Sequence, residues 1–276
     1  MGERHARAVY SGTSACVGSF LRYDWENMPI YDYPEYYEIA FSYRDIPAET
    51  NFIEEVVGRY SRIPLRTVLE LASGNSPHLE ELCRRGYEYV GIDLNDEMID
   101  YVRDRIARLN IPASIVKADM IDFSFPEPVD CACVFLGSFY VTSDGDLEMH
   151  LASVAGVLRS GGLYILDAAV GYFPEDMRTQ SWDESSNGIN VHATYAPHWI
   201  DQEHGLLKST ITLDVEDHGK TQRIQHAELR KIFSFKQFIQ RIQATDTWEY
   251  IGSFSDFDIE AGPWEQGRNL TVIRRR

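Results

Sequence analysis

Apolar positions change period twice along this chain. From Ala48 to Tyr60, Phe52, Ile53, Val56, Val57 and Tyr60 recur at helical spacing, which predicts an amphipathic helix packed on a sheet. Ahead of it, Pro34 and Pro47 bracket a short helix over Glu35 to Phe41. From Val68 to Ala169, short apolar runs alternate with helical patterns near Pro77–Arg85, Glu97–Leu109 and Leu147–Leu158. This alternation predicts a doubly wound α/β unit, a mostly parallel sheet with helices on both faces. Beyond Gly171 the period drops to two. Residues 189–199, 206–216 and 221–233 read as three antiparallel strands, separated by the polar turns Asp201–Gly205 and Asp217–Lys220. A helix over Phe235–Ala244 and a strand pair, Trp248–Phe254 with Asn269–Ile273, complete the pattern.

The chemistry concentrates where two apolar strands end. Thr67-Val68-Leu69-Glu70-Leu71 runs into the small-residue turn Ala72-Ser73-Gly74-Asn75-Ser76, and a helix follows. About twenty residues on, Tyr89-Val90-Gly91-Ile92 ends in Asp93. Acids at the tips of adjacent parallel strands suit a ligand with an ammonium at one end and a ribose diol at the other, and S-adenosylmethionine is such a ligand. A dinucleotide fits less well. Its turn needs G-x-G-x-x-G so that the backbone can touch a pyrophosphate, whereas Ala72 and Ser76 stand where two of those glycines belong, and Glu70 would face the phosphates.

Further blocks follow in order: Asp93-Leu94-Asn95-Asp96-Glu97-Met98, Val116-Lys117-Ala118-Asp119-Met120, Val129–Leu136 leading into Gly137-Ser138-Phe139-Tyr140, and Leu158-Arg159-Ser160-Gly161-Gly162 before Leu163–Asp167. With the first turn they resemble the class I S-adenosylmethionine-dependent methyltransferases over roughly Phe52 to Ala169, and within them the amino-sugar and glycine/sarcosine N-methyltransferases. The resemblance implies a seven-stranded Rossmann-like sheet with an inserted antiparallel β lid. It divides the chain into an arm (1–47) that closes over the cofactor, a core (48–172), a lid (173–233) and a closing helix and strand pair (234–276). Departures are Ala72 and Ser76 in a turn that usually carries three glycines, and Ser160 where proline is common.

The same resemblance implies roles. Glu70 takes the methionine ammonium, with Ala72, Gly74 and Asn75 forming the turn around it. Asp93 takes the ribose hydroxyls, with Leu94 beside it. Asp119, or Asp122 nearby, meets the adenine amino group. Met98, Met120 and Leu136 line the cofactor. Tyr37, in Tyr36-Tyr37-Glu38-Ile39, matches the arm tyrosine that holds substrate or cofactor. Ser138 and Tyr140 follow the fourth strand, where a nucleophile is oriented, and His192 is a further catalytic candidate. Each has an ordinary structural alternative: an acid capping the next helix, a methionine or aromatic filling the core, a strand histidine on the surface. His198 is a weaker candidate than His192, and His226 reads as a packed or surface residue. The reaction implied is in-line methyl transfer to a small molecule, to nitrogen rather than oxygen, releasing S-adenosylhomocysteine. A non-catalytic S-adenosylmethionine sensor and a protein methyltransferase are the alternatives.

Charge narrows the acceptor. A formal net charge of −17 repels a phosphate backbone and disfavours nucleic acid as a partner; a neutral or cationic small molecule fits that field. The 44% hydrophobic content suffices for a core, and no apolar run approaches the roughly 20 residues of a membrane span. No signal-peptide pattern opens the chain, so a cytoplasmic location is expected. Cys16, Cys83, Cys131 and Cys133 lack zinc spacing, Cys131 and Cys133 sharing one strand face, so no metal is expected. A homodimer is left open.

Overall fold

The computed structural model describes residues 30–171, 178–264 and 267–276. Cys16, Tyr23, Trp25 and the rest of the arm before Ile30 lie outside the described residues, as does the start of the lid at 173–177.

The elements follow as α1 (Pro34–Ala40), α2 (Ile46–Tyr60), β1 (Thr67–Leu71), α3 (Leu79–Arg84), β2 (Glu88–Asp93), α4 (Asp96–Leu109), β3 (Ala113–Lys117), β4 (Val129–Val134), α5 (Asp144–Val157) and β5 (Leu158–Asp167). Next come β6 (Gln180–Ser186), β7 (Ile189–Asp201), β8 (Leu206–Asp217), β9 (Lys220–Lys231), α6 (Phe235–Gln243), β10 (Trp248–Ser255) and β11 (Asn269–Arg275). Seven strands form one sheet in the order β10-β11-β5-β4-β1-β2-β3. Strands β1 to β5 are parallel, and β11 joins antiparallel to both β5 and β10.

Strand parity puts helices on both faces. Val68, Cys131, Cys133, Leu163 and Ile165 face a cluster with Phe52, Ile53 and Val56 of α2. Leu69, Leu71, Ala132, Val134, Tyr164 and Leu166 face the opposite cluster, with Leu147, Leu151 and Val154 of α5 and Phe238 of α6. Cys131 and Cys133 are thus packing residues, and burial pushes the Cys131 thiol up to about 12. Local signals set the helix starts: the Asp45 side chain accepts from the Ala48 amide at 3.0 Å, and Ser143 with Asp146 closes a capping box at α5.

The second sheet has four strands, β6-β7-β8-β9, all antiparallel. The period-two reading found three. It missed β6, whose sequence Gln180-Ser181-Trp182-Asp183-Glu184-Ser185-Ser186 carries a single large apolar side chain. A second difference lies at Leu158, where the helix was expected to end and β5 instead begins. The inner face of this sheet packs Ile189, Val191, Ala193, Leu213, Val215 and Ile224 against Ile30, Tyr37, Ile39 and Ala40 of the arm. Trp182 Nε1 donates to the Ala40 carbonyl at 2.6 Å and Tyr36 to Asp217 at 2.9 Å. Residues 30–41 and the four-stranded sheet therefore pack on each other, and both line cavities at the carboxyl ends of the parallel strands, where open α/β sheets bind ligands.

Candidate functional site

Two adjoining cavities lie above the strand ends. The first is lined by Ala72 and Gly74 after β1, Asp93 and Leu94 at the end of β2, Ala118 and Met120 after β3, and Ser138 and Tyr140 after β4. Tyr31 and Tyr37 of the arm lean into it and narrow it to about 40 Å³. The second, about 780 Å³, shares Tyr31, Tyr37, Ser138 and Tyr140 with the first and continues beneath the lid to Trp182, Tyr195, Glu228 and Arg230.

The β1 turn explains its own composition. Ala72, Gly74 and Ser76 all have left-handed backbones, with φ of 47°, 52° and 51°. These are conformations that glycine adopts without cost and other residues adopt at about 1–2 kcal/mol. The turn keeps its shape although two of the three residues are not glycine. Its Gly74 amide donates to Asp93 Oδ2 at 2.7 Å, while the Asn95 amide donates to Oδ1 at 2.9 Å. Burial pushes the Asp93 carboxyl up, and these backbone hydrogen bonds oppose the shift. Asp93 thus stands as a fixed acceptor on the cavity wall.

Glu70 is placed differently from the expectation. Its side chain shares the parity of Val68 and points below the turn, where Oε1 meets His78 Nδ1 at 2.9 Å and Oε2 accepts from Tyr89 at 2.7 Å. It is 3% exposed and does not line the first cavity. His78 in turn meets Glu49 through Nε2 at 3.0 Å, and Arg44 grips Glu49 at 3.0 and 2.5 Å. Since both imidazole nitrogens face carboxylate oxygens, both carry hydrogens and the ring is cationic. Burial alone would lower the His78 pKa; Glu70 and Glu49 outweigh it and raise it.

Four further expectations change. Met98 is fully buried in the cluster beneath the arm and is a core residue. Asn75 faces another groove, and its carbonyl accepts from Arg105 at 3.1 Å. Asp119 uses Oδ1 to accept from the Ile121 amide at 2.9 Å, within its own loop, and Asp122 is exposed. His192 lies on the outward parity of β7, opposite to Val191 and Ala193, and pairs with Asp183 at 2.7 Å. Its ring faces away from both cavities, and His198 shares that parity. Leu136 lines the second cavity, with its amide donating to Asp167 at 2.6 Å.

Sequence reasoning missed the inward face of β9. Ile224, His226, Glu228 and Arg230 are buried there, while Ala227 points out. Apolar side chains fall on both parities of this strand, Ile224 on one and Ala227 and Leu229 on the other, and here the set carrying the polar residues is inside. Arg230 donates to the Gly137 carbonyl at 2.6 Å and to Tyr195 at 3.0 Å, joining the lid to the turn after β4. Tyr31 Oη lies 2.7 Å from Tyr140 Oη and 3.3 Å from Glu228 Oε2, spanning the seam between the cavities. Arg268 grips the fully buried Asp167 at 2.7 and 2.5 Å on the far wall.

Residues 68–162 match the family model described as a methyltransferase domain. The chain is 26% identical over 148 residues to the dTDP-3-amino-3,4,6-trideoxy-alpha-D-glucopyranose N,N-dimethyltransferase of Streptomyces venezuelae, covering 52% of this chain and 59% of that protein. It is also 26% identical to the dTDP-4-amino-2,3,4,6-tetradeoxy-D-glucose N,N-dimethyltransferase of Saccharopolyspora spinosa, covering 52% and 56%. The matched stretch thus spans little more than half the length of these curated relatives. Among solved structures, a sugar N-methyltransferase from a Streptoalloteichus species shares the fold with a TM-score of 0.69 at 18% identity, covering 98% of this chain and 100% of that one. An S-adenosylmethionine-dependent methyltransferase from Clostridium acetobutylicum superposes with a TM-score of 0.72 at 15% identity, over 87% and 95%. Residues 68–162 thus match a methyltransferase domain, within a fold shared with these solved methyltransferases.

Proposed function

We propose that this chain transfers the methyl group of S-adenosylmethionine to a nitrogen of a small-molecule amine, with amino sugars as the first acceptors to try. The observation that carries the reading is the junction of the two cavities: a wall with Asp93 and a left-handed turn opens, past Tyr31 and Tyr140, onto an aromatic chamber holding a carboxylate. The family match over residues 68–162 and the printed activities of the two curated relatives support it.

In this reading Asp93 receives the ribose hydroxyls, and the Ala72–Gly74 turn holds the amino-acid end. Leu94 and Met120 flank the adenine. Glu70 acts through the turn, by fixing His78 and Tyr89 beneath it, instead of touching the ammonium. Tyr37, Ser138 and Tyr140 border the transferred methyl. The cofactor supplies a sulfonium methyl; the protein aligns the nitrogen with it and excludes water, which are the large terms for such a displacement. The reading requires the Tyr31 and Tyr37 rings to move when a nucleoside enters. The four-stranded sheet serves as the acceptor lid.

Calorimetric titration with S-adenosylmethionine and S-adenosylhomocysteine, with NAD as control, tests the cofactor. Binding of the first two alone is expected, followed by labelled-methyl transfer to an amino sugar. Binding of NAD, or of none of the three, would overturn the reading.

A further inference from the structure

The lid carries a carboxylate that the resemblance did not assign. Glu228 is 6% exposed on the inward face of β9, and its side chain lines the second cavity at the seam with the first. Its Oε2 accepts from Tyr31 at 3.3 Å and stands 3.6 Å from His226 Nε2. Tyr31 and Tyr140 close the chamber around it, and the Tyr31 ring packs edge-on to His226 at 5.1 Å. A carboxylate facing a cavity walled by tyrosine rings is costly to desolvate, and an incoming cation with N–H groups would relieve that cost. Tyrosine faces add attraction for the same cation.

We propose that Glu228 is the acceptor-amine site: its carboxylate receives the ammonium form of the substrate and takes the proton that frees the nitrogen lone pair. This rests on the methyl-transfer reading above and assigns its acceptor residue. The proton passes from R–NH3+ to Oε1, leaving R–NH2 and a neutral carboxyl group. The lone pair then forms the N–C bond as the C–S bond breaks, its electron pair staying on sulfur. The product is R–NH2–CH3+ and the thioether, and the proton on Glu228 leaves to solvent through the second cavity. A hydroxyl in place of the amine brings no positive charge to the site, so the site selects amine over alcohol.

The test titrates the full chain with 3-amino-3-deoxy-D-glucose and with D-glucose, with and without S-adenosylhomocysteine, in wild type and Glu228→Gln. The wild type is expected to prefer the amine. A charge-assisted hydrogen bond lost to a neutral amide corresponds to about tenfold to a hundredfold weaker amine binding. D-glucose and S-adenosylhomocysteine affinities should stay as they were, and Glu228→Asp should recover part of the amine preference. A merely structural role would weaken both sugars together. Equal amine preference in the two proteins, or none in the wild type, overturns the proposal. Failure of S-adenosylhomocysteine to bind overturns the cofactor reading instead, while the sugar titrations still decide the role of Glu228.

Discussion

His78 Nδ1 stands 2.9 Å from Glu70 Oε1, so the acid that ends β1 is answered inside the protein instead of in the ligand cavity. With Glu49 on the other ring nitrogen, a buried cation sits between two buried anions under the turn. Removing one member of such a set leaves uncompensated charge, at about 3–5 kcal/mol. His78→Ala is expected to lose about that much in urea unfolding and to loosen cofactor binding through the turn; an unchanged unfolding midpoint would refute it.

The pH dependence follows from the same set. Burial pushes the Glu49 carboxyl up, yet hydrogen bonds from His78 and Arg44 outweigh it and hold it at about 2. Its stabilisation is complete above the unfolded value of about 4.3 and is lost as pH falls toward 2. The His78 pKa is raised, so its contribution is complete below about 6.5 and is lost as pH rises through the folded value. Stability should therefore peak between about pH 5 and 6.5. His78→Ala should flatten the alkaline limb; urea midpoints measured from pH 3 to 9 check this.

Ala72 holds φ of 47° without being glycine. Ala72→Gly relieves about 1–2 kcal/mol of left-handed strain but adds entropy to the unfolded chain, at about 0.4–1 kcal/mol. The net expectation is a small gain in stability, under about 1 kcal/mol, with cofactor affinity retained. A thermal melt that falls by several degrees would contradict it.

Asp93 accepts from the Gly74 and Asn95 amides and borders the first cavity. Asp93→Ala should weaken S-adenosylhomocysteine by about tenfold to a hundredfold, the worth of charge-assisted hydrogen bonds lost together with the turn's anchor. Calorimetry with the variant at wild-type affinity would remove Asp93 from the site.

Gly137 has φ of +68°, and a Cβ there would overlap the Arg230 guanidinium that bonds its carbonyl. Gly137→Ala should cost about 1–3 kcal/mol through overpacking and strain. It should also displace the lid, raising KM for the acceptor more than Kd for S-adenosylhomocysteine. Equal effects on both would place the lid contact outside acceptor binding.

What the sequence determined by itself is local and periodic. The alternation from Val68 to Ala169 and the small-residue turn followed by Asp93 are legible because each depends on spacing along the chain. The turn's left-handed residues were legible too, as positions where glycine was missed. Direction across the sheet was not. Whether Glu70 points to ligand or to His78 depends on which face of β1 meets α2. Whether β9 turns Ala227 or Glu228 inward depends on its register with β8 and on the arm packed against it. Strand β6 has one large apolar side chain to betray it, and it forms because β7 supplies a ladder of backbone partners. Hydrophobic periodicity reports burial in a core of apolar residues; a chamber lined with polar groups inverts that signal, and only the tertiary structure decides where such a chamber lies.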